Sequence, residues 1–319
     1  MSRPGPGMIA GRARPSGVSE RGTEVETVQC LLAEQFPHWS GLPLTRIEPG
    51  GWDNTTFRLG DELAVRLPND DALAQQVAKG HRWLPVLAET LPITIPTPVG
   101  LGQPGCGYGR PWSITRWLDG IPLGKATAFD QQTVAEQLAE FLTALHQIPV
   151  DDGPEAGVHN YHRGGPLAVF DQPARDAIAQ LDGIINRTGA LSVWNTAISS
   201  EWDGSPVWVH GDMTGSNLLA TDRRLAAVID FGCCAVGDPA CDLGIAWTLL
   251  DPPARDRFAR SLHLDDGCWA RARGWVLWKA LRGLVTQPAD HPRNTGERLG
   301  WTATSLEIIE TLTSSDVTP

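Results

Sequence analysis

The chain has 319 residues, 41% of them hydrophobic and 20% charged, with a formal net charge of −11. That length suits two lobes around a substantial buried core. The acidic balance argues against a nucleic-acid binder, which needs clustered Lys and Arg to face phosphates, and no run of 18 apolar residues offers a membrane span.

The first stretch, "MSRPGPGMIAGRARPSGVSERG", is rich in Gly, Pro, Ser and Arg and lacks the apolar centre of a signal peptide. It is expected to be a disordered leader, residues 1–22, on a cytoplasmic protein. A short amphipathic segment follows around "VETVQCLLAEQF". Next come strand-like runs separated by turns, "TRIEP", "TTFRL" and "LAVRLP", the pattern of a hairpin sheet. Asp70 or Asp71 can cap a helix through "ALAQQVAKGHRWL". Two more strands are expected in "ITIPTPVGL" and "PWSITRWL". The "GLGQPG" between them has the G-x-G-x-x-G spacing of a dinucleotide site, but "CGYGRPW" cannot begin the required helix, so it reads as a hairpin turn.

Leu118-Asp119-Gly120 reads as a linker, giving lobes at residues 23–118 and 119–319. Beyond it, Val134, Leu138, Phe141, Leu142 and Leu145 recur at intervals of three and four, which predicts an amphipathic helix. Residues 165–200 and 253–311 also read mainly as helix. The expected class is α+β, with a small sheet-rich N-terminal lobe and a larger helical C-terminal lobe.

Two strand-like runs interrupt the helices in "VHGDMTGSNLLATDRRLAAVIDFG". Here Asp212 precedes Asn217 by the interval of the kinase signature H-R-D-L-x-x-x-N, and Asp230 heads a D-F-G. Phosphoryl transfer to a hydroxyl needs a carboxylate to take the proton, hard oxygen ligands for magnesium and positive charge on the phosphates. The stretch supplies the first two. No G-x-x-x-x-G-K-[ST], H-E-x-x-H or G-x-S-x-G occurs. Cys30, Cys106, Cys233, Cys234, Cys241 and Cys268 follow no CxxC spacing and are expected as reduced thiols. A zinc site from Cys233, Cys234 and Cys241 stays open, although no histidine stands at ligand spacing.

On "VHGDMTGSNLL", "VIDFG" and "GDPACDLG", the chain resembles the aminoglycoside phosphotransferase family, small-molecule kinases with a protein-kinase-like bilobal fold. The resemblance implies Asp212 as catalytic base, Asn217 and Asp230 as Mg²⁺ ligands, His210 as support for the catalytic loop, and Asp238 and Asp242 as its braces. It places Gly50, Gly51, Asn54 and Thr55 over the phosphates of ATP or GTP, and Arg116, Trp117 and Leu118 beside the base. The family's strand lysine is replaced by Arg66, whose guanidinium can also grip phosphate oxygens. The next helix has no glutamate to orient it, leaving Gln75, Gln76 or His81. Tyr161, His162 and Arg163 are the expected acceptor contacts.

The implied partner is a hydroxylated small molecule, foremost an antibiotic, bound by a monomer or homodimer without nucleic acid or membrane. Asp171, Asp176, Asp182, Glu201, Asp251, Asp256, Asp265 and Asp266 could receive a polyamine or simply be solvated. Trp202, Trp247, Trp275 and Trp278 could wall a pocket for a flatter ligand or be core. A kinase of choline, homoserine or a sugar, and an inactive nucleotide-binding module, are the alternatives.

Overall fold

The computed structural model describes residues 18–48, 53–286 and 303–314. Helix α1 (Val18–Gln35) starts inside the expected leader and lays Val28, Leu31 and Leu32 onto an antiparallel sheet. That sheet comprises β1 (Leu44–Arg46), β2 (Asn54–Leu59), β3 (Leu63–Pro68), β4 (Pro98–Gly102) and β5 (Trp112–Arg116), in the order β1-β2-β3-β5-β4. Phe57 pairs with Val65 and Leu59 with Leu63, so these side chains join Trp112 and Ile114 in a core beneath α1. Side chains alternate across a strand. The register therefore turns Asn54, Thr56 and Arg66 to the opposite face, where α2 (Asp71–Ala88) lies between β3 and β4 in the chain.

The helices expected through "ALAQQVAKGHRWL" and over the 134–145 stripe form, the strand expected in "ITIPTPVGL" begins only at Pro98, and residues 287–302 of the expected helical stretch lie outside the described residues. "GLGQPG" lies at the β4–β5 hairpin, closed by backbone hydrogen bonds between Gly105 and Tyr108. From β5 the chain passes through residues 117–120 to β6 (Ile121–Pro122). Helix α3 (Gln131–Gln147) begins where the Asp130 carboxylate accepts the Thr133 N–H at 3.1 Å, a cap worth about 1 kcal/mol. Its stripe Val134, Leu138, Phe141, Leu142 and Leu145 is fully buried, each side chain contributing roughly 1.5–3 kcal/mol before entropy is subtracted. After α4 (Asp171–Gln180) and α5 (Arg187–Ser199) come the short strands β7 (Val207–Val209), β8 (Leu218–Thr221), β9 (Arg224–Val228) and β10 (Ala235–Gly237). Strand β7 pairs with β10, while β8 lies between β6 and β9. The lobe closes with α6 (Ile245–Thr248), α7 (Pro252–Leu262), α8 (Asp266–Val285) and α9 (Ser305–Thr313). Leu84 and Leu87 of α2 belong to this larger core, so α2 bridges the two lobes.

The cysteines need one correction, because Cys30 and Cys106 form a disulfide across 76 residues of sequence. Tertiary packing brings them together: the end of α1 clasps the β4–β5 hairpin through Gln35 Nε2, which donates to the Gln103 carbonyl at 2.9 Å, and the Gln103 N–H, which donates to Gln35 Oε1 at 2.7 Å. Spacing along the chain cannot show such a contact. Cys233, Cys234, Cys241 and Cys268 are free and buried, and among the described residues they form no cluster of three metal ligands.

Opening a loop of this length restores chain entropy to the unfolded state worth about 2–4 kcal/mol. Cys30→Ser, or treatment with dithiothreitol, is therefore expected to lower the melting temperature, and a non-reducing peptide map is expected to show the linked pair. His146 on α3 supplies a second prediction. Its ring Nε2 is buried without a hydrogen-bond partner, and burial pushes the imidazole from 6.5 down to about 4. The unfolded chain then binds the extra proton first, so stability is complete above pH 6.5 and is lost as pH falls toward 4, by about 1–3 kcal/mol. His146→Leu is expected to flatten that part of a denaturation-versus-pH curve.

Candidate active site

Strand β7 delivers His210, Gly211 and Asp212 into the space between the lobes, and a buried carboxylate holds them there. Asp242, fully inaccessible, accepts the His210 N–H at 2.6 Å and the Gly211 N–H at 2.8 Å. Burial raises its carboxyl, and His210 with the two amides opposes that rise. Gly211 turns at φ +83°, where a Cβ would strike the Cys233 carbonyl oxygen. No other residue fits there. The His210 ring bridges the Ile229 carbonyl at Nε2, 3.0 Å, and the Asp212 N–H at Nδ1, 3.2 Å. A carbonyl only accepts and an amide only donates, which selects the Nε2–H tautomer.

Asp238 is the second brace. It caps the turn at Ala240 and forms a buried two-point ion pair with Arg271 of α8, at 2.7 and 3.2 Å. The same arginine reaches the carbonyls of Ser200 and Glu201. Both readings of Asp238 and Asp242 as structural thus have geometric support.

Asp212 is held from two sides. Asn217 Nδ2 donates to its carbonyl at 2.9 Å and to Oδ2 at 3.3 Å, and Lys279 Nζ of α8 donates to Oδ1 at 3.2 Å. Burial raises the Asp212 carboxyl, but Lys279, Arg163 and His210 outweigh it and hold the group below the usual range. It is ionised at neutral pH.

Asp230 takes a left-handed conformation, φ 65° and ψ 61°, which costs on the order of 1 kcal/mol in a non-glycine residue but is borne better by Asp and Asn than by most. Arg66 Nη2 reaches across from β3 to its Oδ1 at 2.9 Å. Gln75, Gln76 and His81, the expected orienters of Arg66, therefore yield to Asp230. Helix α2 is tied down differently, by Lys79 Nζ, which donates to the carbonyls of Gly232 at 2.7 Å and Cys234 at 2.9 Å.

Of the phosphate-loop residues, Gly50 and Gly51 lie outside the described residues. Asn54 lines the cavity shared by Arg66 and Asp230, whereas Thr55 sits on the other face of β2 and donates to Asn69 at 2.8 Å. Asp53, missed in the sequence, is pushed up to about 6 by burial and by the charges of Asp230 and Asp212, against Arg66. Three carboxylates thus act on one another here. Beside the sheet, the Arg116 and Trp117 N–H groups donate to the carbonyls of Thr97 and Glu62 at 2.9 and 2.7 Å. Leu118 follows, partly exposed.

Of the three expected acceptor contacts, Arg163 acts on Asp212 and Tyr161 feels Asp53, whereas the contact of the His162 ring is with Phe170. Asn160, fully buried, accepts the Gly157 N–H and donates to the carbonyls of Arg163 and Cys233. Gly237 packs so tightly on Gly164 that a Cβ would overlap the Gly164 oxygen. Between these anchors Tyr161 and His162 both adopt positive φ, 55° and 58°. Tyr161 is pushed up to about 12 by burial and by Asp53 and Cys233, His162 meets Phe170 edge-on, and Arg163 lies 5.2 Å over Trp275. Trp247 and Trp275 are core, while Trp278 is partly exposed and stacks on Phe170 at 5.0 Å. Lys279 and Lys79 were not anticipated, although a chain with three lysines offers few candidates.

Removing one partner of the Asp238–Arg271 pair leaves a buried charge alone, at a cost of about 3–5 kcal/mol. Asp238→Ala is therefore expected to destabilise strongly in urea denaturation, and Asp238→Ala with Arg271→Met much less, giving a large coupling energy in the cycle.

Comparison with known proteins places this geometry in context. Residues 44–275 match the model described as "Phosphotransferase enzyme family". Two aminoglycoside 3'-phosphotransferases are similar: that of Streptomyces fradiae, 24% identical over 50% of this chain and 56% of its own length, and that of Escherichia coli, 25% identical over 49% and 59%. The chain thus spans somewhat over half the length of these curated relatives. Among solved structures, the GDP and kanamycin complex of APH(2")-IIia superposes with a TM-score of 0.69 at 19% identity, covering 91% of this chain and 99% of that one. Macrolide 2'-phosphotransferase MphH from Brachybacterium faecium gives 0.58 at 20%, covering 89% and 98%. The two-lobed fold is that of these kinase-like enzymes, and the chain belongs to the phosphotransferase enzyme family.

Proposed function

We propose that this chain is a Mg²⁺-dependent O-phosphotransferase that moves the γ-phosphoryl group of ATP or GTP to a hydroxyl of a small molecule, an antibiotic. The observation that carries the reading is the Asp212 carboxylate, ionised and immobilised by Lys279 and Asn217 within electrostatic reach of the loop carboxylate Asp53 that also feels Asp230. The relatives named aminoglycoside 3'-phosphotransferase support the acceptor class.

The donor set fits a magnesium ion. Asn217 spends its Nδ2 on Asp212, leaving Oδ1 as a hard ligand, and Asp230 keeps an oxygen besides the one bonded to Arg66. When bound there, the ion would offset charge on the phosphate oxygens. In transfer, the acceptor hydroxyl gives its proton to Asp212 as its oxygen bonds to the γ-phosphorus, and the bond to the β-phosphate oxygen breaks, releasing the nucleoside diphosphate. Arg66, at 2.9 Å from Asp230, stands where the phosphates need a cation. Asn54 lines the same cavity. Because the Arg116 and Trp117 N–H groups are already engaged, backbone donation to the nucleotide base falls to Leu118 and the residues after it.

An inactive nucleotide-binding module is less well supported, since the replaced lysine has in Arg66 a cation already aimed at Asp230. The test incubates the full chain with ATP or GTP and a panel of hydroxylated antibiotics, with mass spectrometry reading the added phosphate. Asp212→Asn is expected to lower the transfer rate by roughly 10²–10⁴ with an unchanged circular dichroism spectrum. Equal background turnover in both proteins would sink the reading.

A further inference from the structure

The acceptor side of the site is cationic. Trp275, Lys279 and Arg282 stand four and three residues apart on α8, so they share one face of the helix. Lys279 meets Asp212 at 3.2 Å, and Arg163 comes over Trp275 from the loop after Asn160. Two of the Arg163 donors, Nε and Nη1, are buried without a hydrogen-bond partner. A guanidinium rarely keeps buried donors idle, because each lacks the water it gave up.

Charge counting points the same way. Lys279 and Arg282 are each depressed first by burial and then by Arg163, and the carboxylate acting on both is Asp212. Three cations therefore meet one acid. Four acidic residues of this lobe are occupied elsewhere: Asp171 accepts from Arg175 and Trp194, Asp182 pairs with Arg187, and Asp251 and Asp265 cap helices α7 and α8. A polycation would meet repulsion beside Asp212, whereas an anion would find unspent donors.

We infer that Arg163, Lys279 and Arg282 form an anion subsite beside Asp212, and that the acceptor carries an acidic group, a carboxylate or phosphate, close to the hydroxyl it presents. Arg163 supplies the planar two-point grip, Arg282 supplies long-range attraction from its partly solvated position, and Lys279 is shared between the acid and Asp212. The consecutive positive-φ residues Tyr161 and His162 fix the direction from which Arg163 enters. The inference rests on the reading of this cleft as a phosphoryl-transfer site and narrows its acceptor.

The test uses the full chain loaded with Mg²⁺ and ADP, with binding of glucuronate, glucose, inorganic sulfate and kanamycin measured by calorimetry. Glucuronate is expected to bind about tenfold or more tighter than glucose, a difference in line with one charge-assisted contact, and tighter than kanamycin, and sulfate is expected to compete with it. Arg282→Gln and Arg163→Gln are each expected to weaken glucuronate about tenfold, with ADP affinity as the control for an intact fold. Kanamycin binding tighter than glucuronate, or glucuronate binding indifferent to both substitutions, overturns the inference. A beryllium fluoride arm separates the two sources of negative charge. Glucuronate binding that survives beside ADP and beryllium fluoride assigns the cations to the acceptor, whereas its loss assigns them to the transferred phosphoryl group and overturns the proposal. Failure of both ADP and GDP to bind the unsubstituted chain overturns the underlying phosphotransferase reading instead.

Discussion

One inaccessible carboxylate organises this protein. Asp242 receives two consecutive backbone N–H groups from His210 and Gly211, and neither oxygen reaches solvent. Charge-assisted bonds of this kind are roughly twice as strong as neutral ones. They oppose the burial that raises the Asp242 carboxyl. Because the amides belong to the residues just before Asp212, fixing them fixes where its carboxylate emerges. His210 extends the constraint to β9 through the Ile229 carbonyl, and its ring packs edge-on against Phe231. The segment carrying Asp212 and the one carrying Asp230 are thus locked to one scaffold.

The lobes communicate through cations rather than through apolar surface alone. Arg66 joins the sheet to Asp230 and Lys79 joins α2 to the segment just after it, while within the C-terminal lobe Lys279 ties α8 to Asp212. Each bond is between a long flexible side chain and a rigid acceptor, so the donor adjusts and the acceptor stays put. Asp238 with Arg271 performs the same office at the far side of the loop, where the pair is nearly inaccessible. Around Asp212 the opposite charge of Lys279 and Arg163 outweighs burial and holds the carboxyl below its usual range.

The local elements were legible in the sequence because they follow from local rules. The α3 stripe at intervals of three and four is buried as expected, and the glycine-rich segment after β4 turns rather than opening a helix. The order of Asp212, Asn217 and Asp230 was likewise readable, since spacing carries it. What could not be read depends on distant packing. Nothing in the neighbourhood of Cys30 announces Cys106, and nothing near Lys279 announces Asp212, 67 residues before it. Acidic residues such as Asp251 and Asp265 suggested a cation pocket when counted as charges, yet each serves a helix start. The resemblance implies a partner for Arg66 on the following helix, while the geometry supplies Asp230.

The grip of Lys79 on α2 is asymmetric in a way that bears on how the chain tolerates change. Its two acceptors are main-chain oxygens, those of Gly232 and Cys234. Every amino acid brings such an oxygen, so the receiving segment can vary in side chain without losing the bond, provided the backbone path is kept. The donor has far less freedom, for only a long cationic side chain reaches both atoms. Substitutional drift in this joint between lobes is therefore absorbed on one side and restricted on the other.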